Sequence, residues 1–233
     1  MATIAANIQQ VRARIAGACA QSQRGVQSVT LLAVSKTVSD AAMREAFDAG
    51  QRAFGENYVQ EGVDKIARLA ALRSAIEWHL IGPLQSNKTR VAAEQFDWVH
   101  TVDRLKIAQR LSEQRPAHLP PLQVCLQVNI SGEASKSGLR PDEVPAVARA
   151  VAALPHLVLR GLMAIPEPSA DLASQRAPHR ALHDLLQALN ASGLALDTLS
   201  MGMTADLEAA VLEGATLVRV GTAIFGARPP VSG

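Results

Sequence analysis

Eight short apolar runs recur along the chain, and each ends at or beside a polar or small residue. Parallel strands that are buried on both faces read as continuous apolar runs of this kind. Each of the first seven runs is followed by a segment that has, or contains, helical spacing of apolar residues. Strand and helix in eightfold alternation predict an α/β fold, a single closed (β/α)8 TIM barrel. The runs close at Lys36, Asn57, His79, Thr101, Asn129, Ala164, Ser200 and Gly221.

The same periodicity predicts the helices, including an extra one before the first strand. Ile4, Ile8 and Ile15 lie on one face of this opening helix, which we expect to flank the barrel floor. Ser39 is placed to cap the helix that follows the first strand. A longer apolar stripe predicts a helix over about residues 59–72.

Length and composition agree with one barrel. The chain has 233 residues, and barrels commonly run to about 250. Apolar residues make up 48% of the chain and aromatic residues 3%, so aliphatic side chains must fill the core. No Gly/Ser-rich linker divides the sequence. We therefore predict a single domain over residues 1–233.

Charge and cysteine content exclude several classes of protein. With 23 basic and 21 acidic side chains, the net charge of +2 gives no field typical of nucleic-acid or acidic-membrane binding. Cys19 and Cys125 are too few for a disulfide framework. No apolar run could span a bilayer, and no apolar stretch follows a basic cluster at the N-terminus. We expect a soluble, cytoplasmic protein without nucleic-acid or membrane partners.

Lys36 is the first candidate functional residue. A lysine just past a strand ordinarily keeps its ammonium in solvent. Here the preceding run, LLAV, is apolar on both faces, and the carboxyl end of a barrel strand is where barrel chemistry lies. In a partly apolar mouth, desolvation would leave the amine uncharged and able to attack an aldehyde.

Two glycine-containing segments follow the seventh and eighth runs, LSMGM at 199–203 and VRVGTAIFG at 218–226. Barrels often bind phosphate at this position through backbone N–H groups. Ser200 and Thr222 add hydroxyl donors, while Gly202 and Gly221 allow close approach to the backbone. Alternatively, these glycines only turn the chain. A lysine for an aldehyde beside a cradle for a phosphate describes pyridoxal 5′-phosphate (PLP).

With these residues in place, the chain resembles the YggS/PROSC family of pyridoxal phosphate homeostasis proteins along nearly its whole length. That family is similar in fold to the N-terminal domain of alanine racemase, a fold type III PLP protein. The matching segments are AVSKT at 33–37, FGENYVQE at 54–61, WHLIGPLQSNK at 78–88, VNIS with SKSG at 128–138, GLMAIP at 161–166, SMGMTADLEAA at 200–210 and VRVGTAIFGAR at 218–228.

The resemblance implies a role for each candidate residue. Lys36 would hold PLP as a Schiff base, Arg219 would face the pyridine nitrogen and Asn57 would line the ring. The phosphate would be held by Ser200, the backbone around Met201 and Gly202, and Gly221 with Thr222. His79 has a place beside the ring after the third strand, although a histidine bonded to a neighbouring carbonyl is an equal alternative.

Arg219 bears on the chemistry that the resemblance implies. A guanidinium is not readily deprotonated, so beside the ring nitrogen it would disfavour the pyridinium form. An unprotonated ring is a weaker electron sink, which limits carbanion chemistry. The chain departs from the usual family pattern at Thr204, where serine is usual, and at Gly132, where an acidic residue is common. Thr204 keeps a hydroxyl, whereas Gly132 leaves the fifth loop open.

Two further polar features have alternative interpretations. His179 and His183 stand four apart on a predicted helix, a spacing that suits a metal, but no third ligand is evident and we predict no metal site. Lys136 lies near the rim, where it either contacts the phosphate or stays solvated.

Three functions remain open. A binding protein would hold PLP, release it in vitamin B6 homeostasis and supply it to PLP-dependent apoenzymes; we expect no catalytic activity from it. An amino-acid racemase needs a second acid/base, and the only tyrosine is Tyr58. The resembling racemase draws its tyrosine from an additional domain, which we expect to be absent here because the chain ends at Gly233; this also favours a monomer. A lysine-based aldolase would use Lys36 without PLP.

Overall fold

The structure is a computed structural model that describes residues 3–132 and 137–226. Within these residues, eight parallel strands close into a barrel in sequential order, with β1 paired to β8. This confirms the predicted barrel. The strands are β1 Thr30–Val34, β2 Ala53–Glu56, β3 Glu77–Leu80, β4 Trp98–Val102, β5 Leu122–Gln127, β6 Leu157–Met163, β7 Thr198–Ser200 and β8 Leu217–Val220.

Helices surround the barrel and join its strands. In the described part of the chain they are α1 Ile4–Gln21, α2 Asp40–Asp48, α3 Val59–Arg68, α4 Thr89–Gln95, α5 Leu105–Gln114, α6 Val144–Ala152, α7 Leu172–Ala191, α8 Leu207–Leu212 and α9 Thr222–Phe225. Ser39 caps α2 as predicted, its hydroxyl accepting a hydrogen bond from the backbone N–H of Ala42.

The opening helix α1 flanks the barrel, and its Arg12 and Ile15 line a cavity at the floor together with Thr30 and Glu77. It packs against α8, α9 and α2 on the outside of the barrel, and also against the short turn at Val26–Ser28 that precedes β1. Its buried face includes Ile8 and Ile15, and Arg14 pairs with Glu208 of α8 at 2.6 Å. The helix therefore fills the gap between the last and first helices of the ring.

Side chains alternate between the helix layer and the interior along each strand. In β8, Val218 and Val220 belong to the apolar cluster shared with the helices, whereas Arg219 faces the interior. Cys125 of β5 is fully buried beside Trp98, and burial raises the pKa of its thiol to about 12. It is a packing residue, as its apolar run predicts.

Element boundaries differ from the sequence prediction by a few residues at several ends. β1 ends at Val34, so Lys36 lies in the following turn. The prediction that His79 follows the third strand is wrong: it lies inside β3, because that strand continues to Leu80, which pairs with β2 and β4. The helix predicted over 59–72 ends at Arg68, and a 3-10 turn follows.

Within residues 3–132 and 137–226, no helix combines the length and the apolar character that a bilayer span requires.

Candidate functional site

Strand pairing brings the Lys36 turn next to the glycine segment after β8. Ala33 of β1 lies opposite Val220 of β8, so the residues that follow each strand emerge side by side at the carboxyl end of the barrel. A cavity of about 200 Å³ at this point is lined by Lys36 together with Gly221 and Thr222. The sequence prediction placed these three residues together, and the structure does the same.

The turn that carries Lys36 is held by its backbone. The N–H of Ser35 donates to the Gly55 carbonyl at 2.9 Å, and the N–H of Val38 donates back to the Ser35 carbonyl at 3.0 Å. Thr37 has a φ of 63°, in the left-handed region that a β-branched residue rarely adopts. Lys36 itself is half-buried.

Arg219 is a buried cation beneath the barrel mouth, with only 4% of its surface exposed. Its guanidinium donates to the Ser200 hydroxyl at 2.7 Å and to the Ala164 carbonyl at 2.8 Å. Burial lowers its pKa to about 10, and the carboxylate of Asp206 opposes that shift. The side chain therefore remains charged near neutral pH.

A chain of hydrogen bonds crosses the interior from Arg219. The Ser200 hydroxyl lies 2.8 Å from Nδ1 of His100, and Nε2 of His100 lies 2.8 Å from Nδ1 of His79. His79 stacks on Trp98 with ring centroids 5.2 Å apart. Burial lowers the pKa of His100 well below its usual value, with the charges of His79 and Arg219 adding to the shift. His100 is therefore neutral.

This arrangement gives His79 a partner that neither sequence interpretation foresaw. The imidazole is bonded to His100 and not to a neighbouring carbonyl. It is 1% exposed and lines a cavity with Glu77 and Thr198, which begin β3 and β7, so it lies toward the barrel floor. The ring-side place predicted for His79 does not agree with this position, because Lys36 lies at the opposite end of the strands.

Met201 and Gly202 shape the loop after β7. The N–H of Met201 is bonded to the Leu217 carbonyl, and its side chain packs in the helix-side core. Gly202 has a φ of 92°, and a Cβ there would lie 2.5 Å from the Cβ of Ala210. Its carbonyl accepts a hydrogen bond from Arg219 N–H. These contacts fix the segment, while its phosphate-binding role, like that of Ser200, stays a prediction.

Asn57 borders a second cavity at the mouth, of about 300 Å³, which is also lined by Thr101 and Asn129. Its side-chain Oδ1 is buried and accepts no hydrogen bond from the residues that the structure describes. Gly82 passes so close that a Cβ there would lie 1.9 Å from the Asn57 carbonyl oxygen. Asn57 is thus held at the mouth with an acceptor left for a bound molecule.

The remaining candidates lie away from this grouping or outside the description. His179 is buried and bonded to Asp206 at 2.9 Å, and the described residues bring no three potential metal ligands together. Tyr58 is 61% exposed at the start of α3. Lys136 lies outside the described residues, so its two interpretations stay open.

Two sets of polar residues were missed by the sequence analysis. His100 is the inward-facing histidine of β4, detectable as a polar residue at an alternate position of the run WVHTV. Glu56 and Lys65 are both buried and paired at 3.0 Å. The sequence offered two indications of this pair: Glu56 is the last residue of an apolar strand, and Lys65 precedes Ile66 on the buried face of α3.

The grouping fits PLP on features of the structure itself. Lys36 shares a cavity with Gly221 and Thr222, where the aldehyde-binding amine and the phosphate cradle were predicted. Arg219 supplies a buried positive charge for the ring nitrogen, and the orphaned Oδ1 of Asn57 offers an acceptor at the mouth. The donor set therefore matches the functional groups of this cofactor.

The closed barrel and this mouth define the class of protein. The family model described as alanine racemase, N-terminal domain, matches residues 1–229. A pyridoxal phosphate homeostasis protein of Pseudomonas aeruginosa is 64% identical over 98% of this chain and 97% of its own length. The protein of that name in Escherichia coli K12 is 55% identical over 98% of each chain. The chain belongs to this family of pyridoxal phosphate homeostasis proteins.

Solved structures agree with this assignment. PipY of Synechococcus elongatus, solved with PLP bound, is 40% identical to this chain and superimposes with a TM-score of 0.80. The superposition covers 93% of this chain and 100% of PipY. Alanine racemase from Corynebacterium glutamicum superimposes with a TM-score of 0.69 over 93% of this chain and 62% of its own. At 18% identity, the latter likeness shows the fold alone.

Proposed function

We propose that this chain is a PLP-binding homeostasis protein that holds the cofactor as a Schiff base on Lys36. The observation that carries the proposal is the shared cavity of Lys36, Gly221 and Thr222 above the buried charge of Arg219. PLP supplies an aldehyde, which condenses with a lysine amine to form a C=N bond with loss of one water.

Each residue of the mouth would then bind or orient one part of the cofactor. The backbone at Gly221 and the Thr222 hydroxyl would hold the phosphate, supported by the neighbouring loop of Ser200, Met201 and Gly202. Arg219 would donate to the ring nitrogen and keep it unprotonated. Asn57 would complete the ring environment, and His79 would act only through the hydrogen bonds that link it by His100 and Ser200 to Arg219. The positions of Lys36, Gly221 and Thr222 around one cavity support these assignments.

Binding without turnover is the activity we propose. A guanidinium beside the ring nitrogen weakens the electron sink on which PLP-dependent carbanion chemistry depends. The relatives are named homeostasis proteins, which favours the same role. A racemase would need a second acid/base close to the ring, and Tyr58 is largely exposed to solvent.

The cellular role follows from this chemistry. We propose a monomer in the cytoplasm that keeps the reactive aldehyde away from stray amines and passes it to PLP-dependent apoenzymes. Mixing the loaded protein with such an apoenzyme should restore enzyme activity, and the rate should be compared with that of an equal concentration of free PLP.

The central test is the location of the adduct. The purified protein should show a visible absorption band that Lys36→Ala abolishes and that Lys106→Ala, at an exposed lysine of α5, preserves. Reduction with borohydride followed by peptide mass spectrometry should place the cofactor on Lys36. An adduct elsewhere, or none at all, contradicts the proposal.

The rival functions give different results in the same experiment. Racemase, transaminase or decarboxylase turnover of any amino acid would contradict a pure binding role. A lysine-based aldolase would be colourless, and borohydride would trap it only in the presence of substrate.

A further inference from the structure

A second lysine lies buried beneath the turn that carries Lys36. Lys65 of α3 has a side chain that is 3% exposed. Its Nζ donates to the Ser35 carbonyl at 2.5 Å and lies 3.0 Å from Glu56 Oε1 and 2.7 Å from Glu61 Oε1. Two of these contacts are hydrogen bonds, and the contact with Glu61 is an ion pair.

The two carboxylates extend this cluster to both sides of Lys36. Glu56 Oε1 also accepts the hydroxyl hydrogen bond of Ser35 at 2.6 Å, immediately before the lysine. Glu61 Oε1 accepts the backbone N–H of Thr37 at 2.5 Å, immediately after it. Glu56 of β2 and Glu61 of α3 therefore form hydrogen bonds with the residues on each side of Lys36.

The hydrogen bond from Thr37 to Glu61 is made by a residue whose backbone is strained. A β-branched residue at a φ of 63° persists only where its surroundings hold it there. The Glu61 carboxylate provides a charge-assisted hydrogen bond to that residue. The turn is thus kept in a conformation that it would not adopt alone.

Fold stability alone is a weak explanation for this cluster. Taking an ammonium and a carboxylate out of water costs free energy that their attraction often fails to recover. Burial accordingly raises the pKa of Glu56, although Lys65 and Ser35 oppose the shift. The cost is incurred at the one turn that presents the cofactor lysine.

We propose that Glu56, Glu61 and Lys65 are positioning residues for the lysine that binds PLP, since they fix the peptides on both sides of Lys36. The inference rests on the proposed function of Lys36. It assigns no direct cofactor contact to the three residues, which act through Ser35 and Thr37.

The sharpest test uses Glu61, because its side chain is partly exposed and Lys65 keeps Glu56 as a charged partner when Glu61 is removed. Glu61→Ala deletes the acceptor of the Thr37 N–H. The matched control is Asp64→Ala, which removes an exposed carboxylate from the same helix; its contact is with Gln60. Glu61→Gln keeps an oxygen that can accept the same hydrogen bond.

Two measurements follow these variants. In cofactor-free protein, amide hydrogen exchange of the peptide that spans residues 35–38 should accelerate in Glu61→Ala and not in Asp64→Ala. In loaded protein, the rate of PLP loss to a trapping apoenzyme should rise about tenfold in Glu61→Ala, as expected for one hydrogen bond to a charged group. Glu61→Gln should recover part of both effects.

The outcomes separate this inference from the function on which it rests. If wild-type protein carries its adduct on Lys36 and Glu61→Ala behaves like Asp64→Ala in both measurements, the positioning role is overturned. If wild-type protein carries no adduct on Lys36, the proposed function fails, whereas the exchange measurement still reports on the turn.

Discussion

Arg219 of β8 and Ser200 of β7 meet inside the barrel, where the guanidinium donates a hydrogen bond to the hydroxyl at 2.7 Å. The same hydroxyl lies 2.8 Å from His100 of β4, on the far side of the barrel. The Ser200 hydroxyl is therefore the side-chain partner of the cation that we assign to the ring nitrogen, and the neutral imidazole of His100 is the next partner of that hydroxyl. The orientation of Arg219 depends on this hydroxyl and on the Ala164 carbonyl.

Ser200→Ala should weaken this orientation. The substitution leaves a buried guanidinium N–H and a buried imidazole nitrogen without their partner, at a cost of about 1–3 kcal/mol in the free energy of unfolding. Cofactor affinity should fall with it, because Arg219 loses the group that aims it. Denaturant unfolding and titration with PLP measure the two effects.

Ser112→Ala is the matched control. Ser112 is a buried serine of α5 whose hydroxyl donates to the Pro155 carbonyl, far from the barrel mouth. It should lose comparable stability and keep wild-type affinity for PLP. Equal affinities in the two variants would contradict an orienting role for Ser200.

The repeated alternation of strands and helices was enough to predict the barrel. Eight apolar runs with helical segments between them admit few other folds, and the strand ends fell within about two residues of the predicted positions. The helix neighbours of α1 could not be predicted, because an amphipathic face shows that a helix packs and not which helices it packs against. The single-domain organisation of the chain stays a prediction.

The pH dependence of stability should carry the signature of His100. Its pKa is held well below the usual value in the folded state, so only the unfolded chain takes up this proton below about pH 6.5. Stability from this group is complete above that pH and is lost as the pH falls toward the folded pKa. The slope should be about 1.4 kcal/mol per pH unit.

His100→Gln should remove this contribution to the slope. Unfolding free energies measured between pH 7 and pH 5 would then decline less steeply than in wild-type protein, whatever the absolute loss of stability. His118→Gln, at an exposed position, controls for the removal of a histidine. An unchanged slope in His100→Gln would show that His100 is already charged in the folded protein.

Gly82 should tolerate no side chain. A Cβ there would lie 1.9 Å from the carbonyl oxygen of Asn57, a backbone atom that cannot move without shifting the mouth. Gly82→Ala should therefore lower the free energy of unfolding by roughly 1–3 kcal/mol, as steric overpacking commonly does. It should also weaken PLP binding.

Gly17→Ala provides the opposite case. Gly17 lies within α1, and a Cβ there meets nothing within 4 Å. Alanine in a helix interior is favoured over glycine by roughly 0.5–1 kcal/mol, so this variant should gain stability and bind PLP normally. Thermal unfolding of both variants checks the pair, and equal effects would contradict the close contact at Gly82.

The sequence predicted the site residues at the barrel mouth but not the charged residues buried below the Lys36 turn. Lys36, Gly221 and Thr222 follow strand ends, where position alone indicates function. Glu61 and Lys65 lie on a helix, where the sequence shows only an acidic and a basic residue four apart, a pattern typical of a solvated ion pair. Their contact with the Lys36 turn depends on how α3 packs on the barrel.

Lys65 should remain unmodified even when Lys36 is absent. Its amine is 3% exposed and lies between the Ser35 carbonyl and two carboxylates, so PLP has no path to it. Lys36→Ala protein incubated with PLP and reduced with borohydride should therefore show no adduct on the peptide that contains Lys65. The double variant Lys36→Ala with Glu61→Ala, which removes the partly exposed partner of the ion pair with Lys65, serves as the comparison. A substantial Lys65 adduct in the single variant would contradict the burial and the contacts that the structure gives this residue.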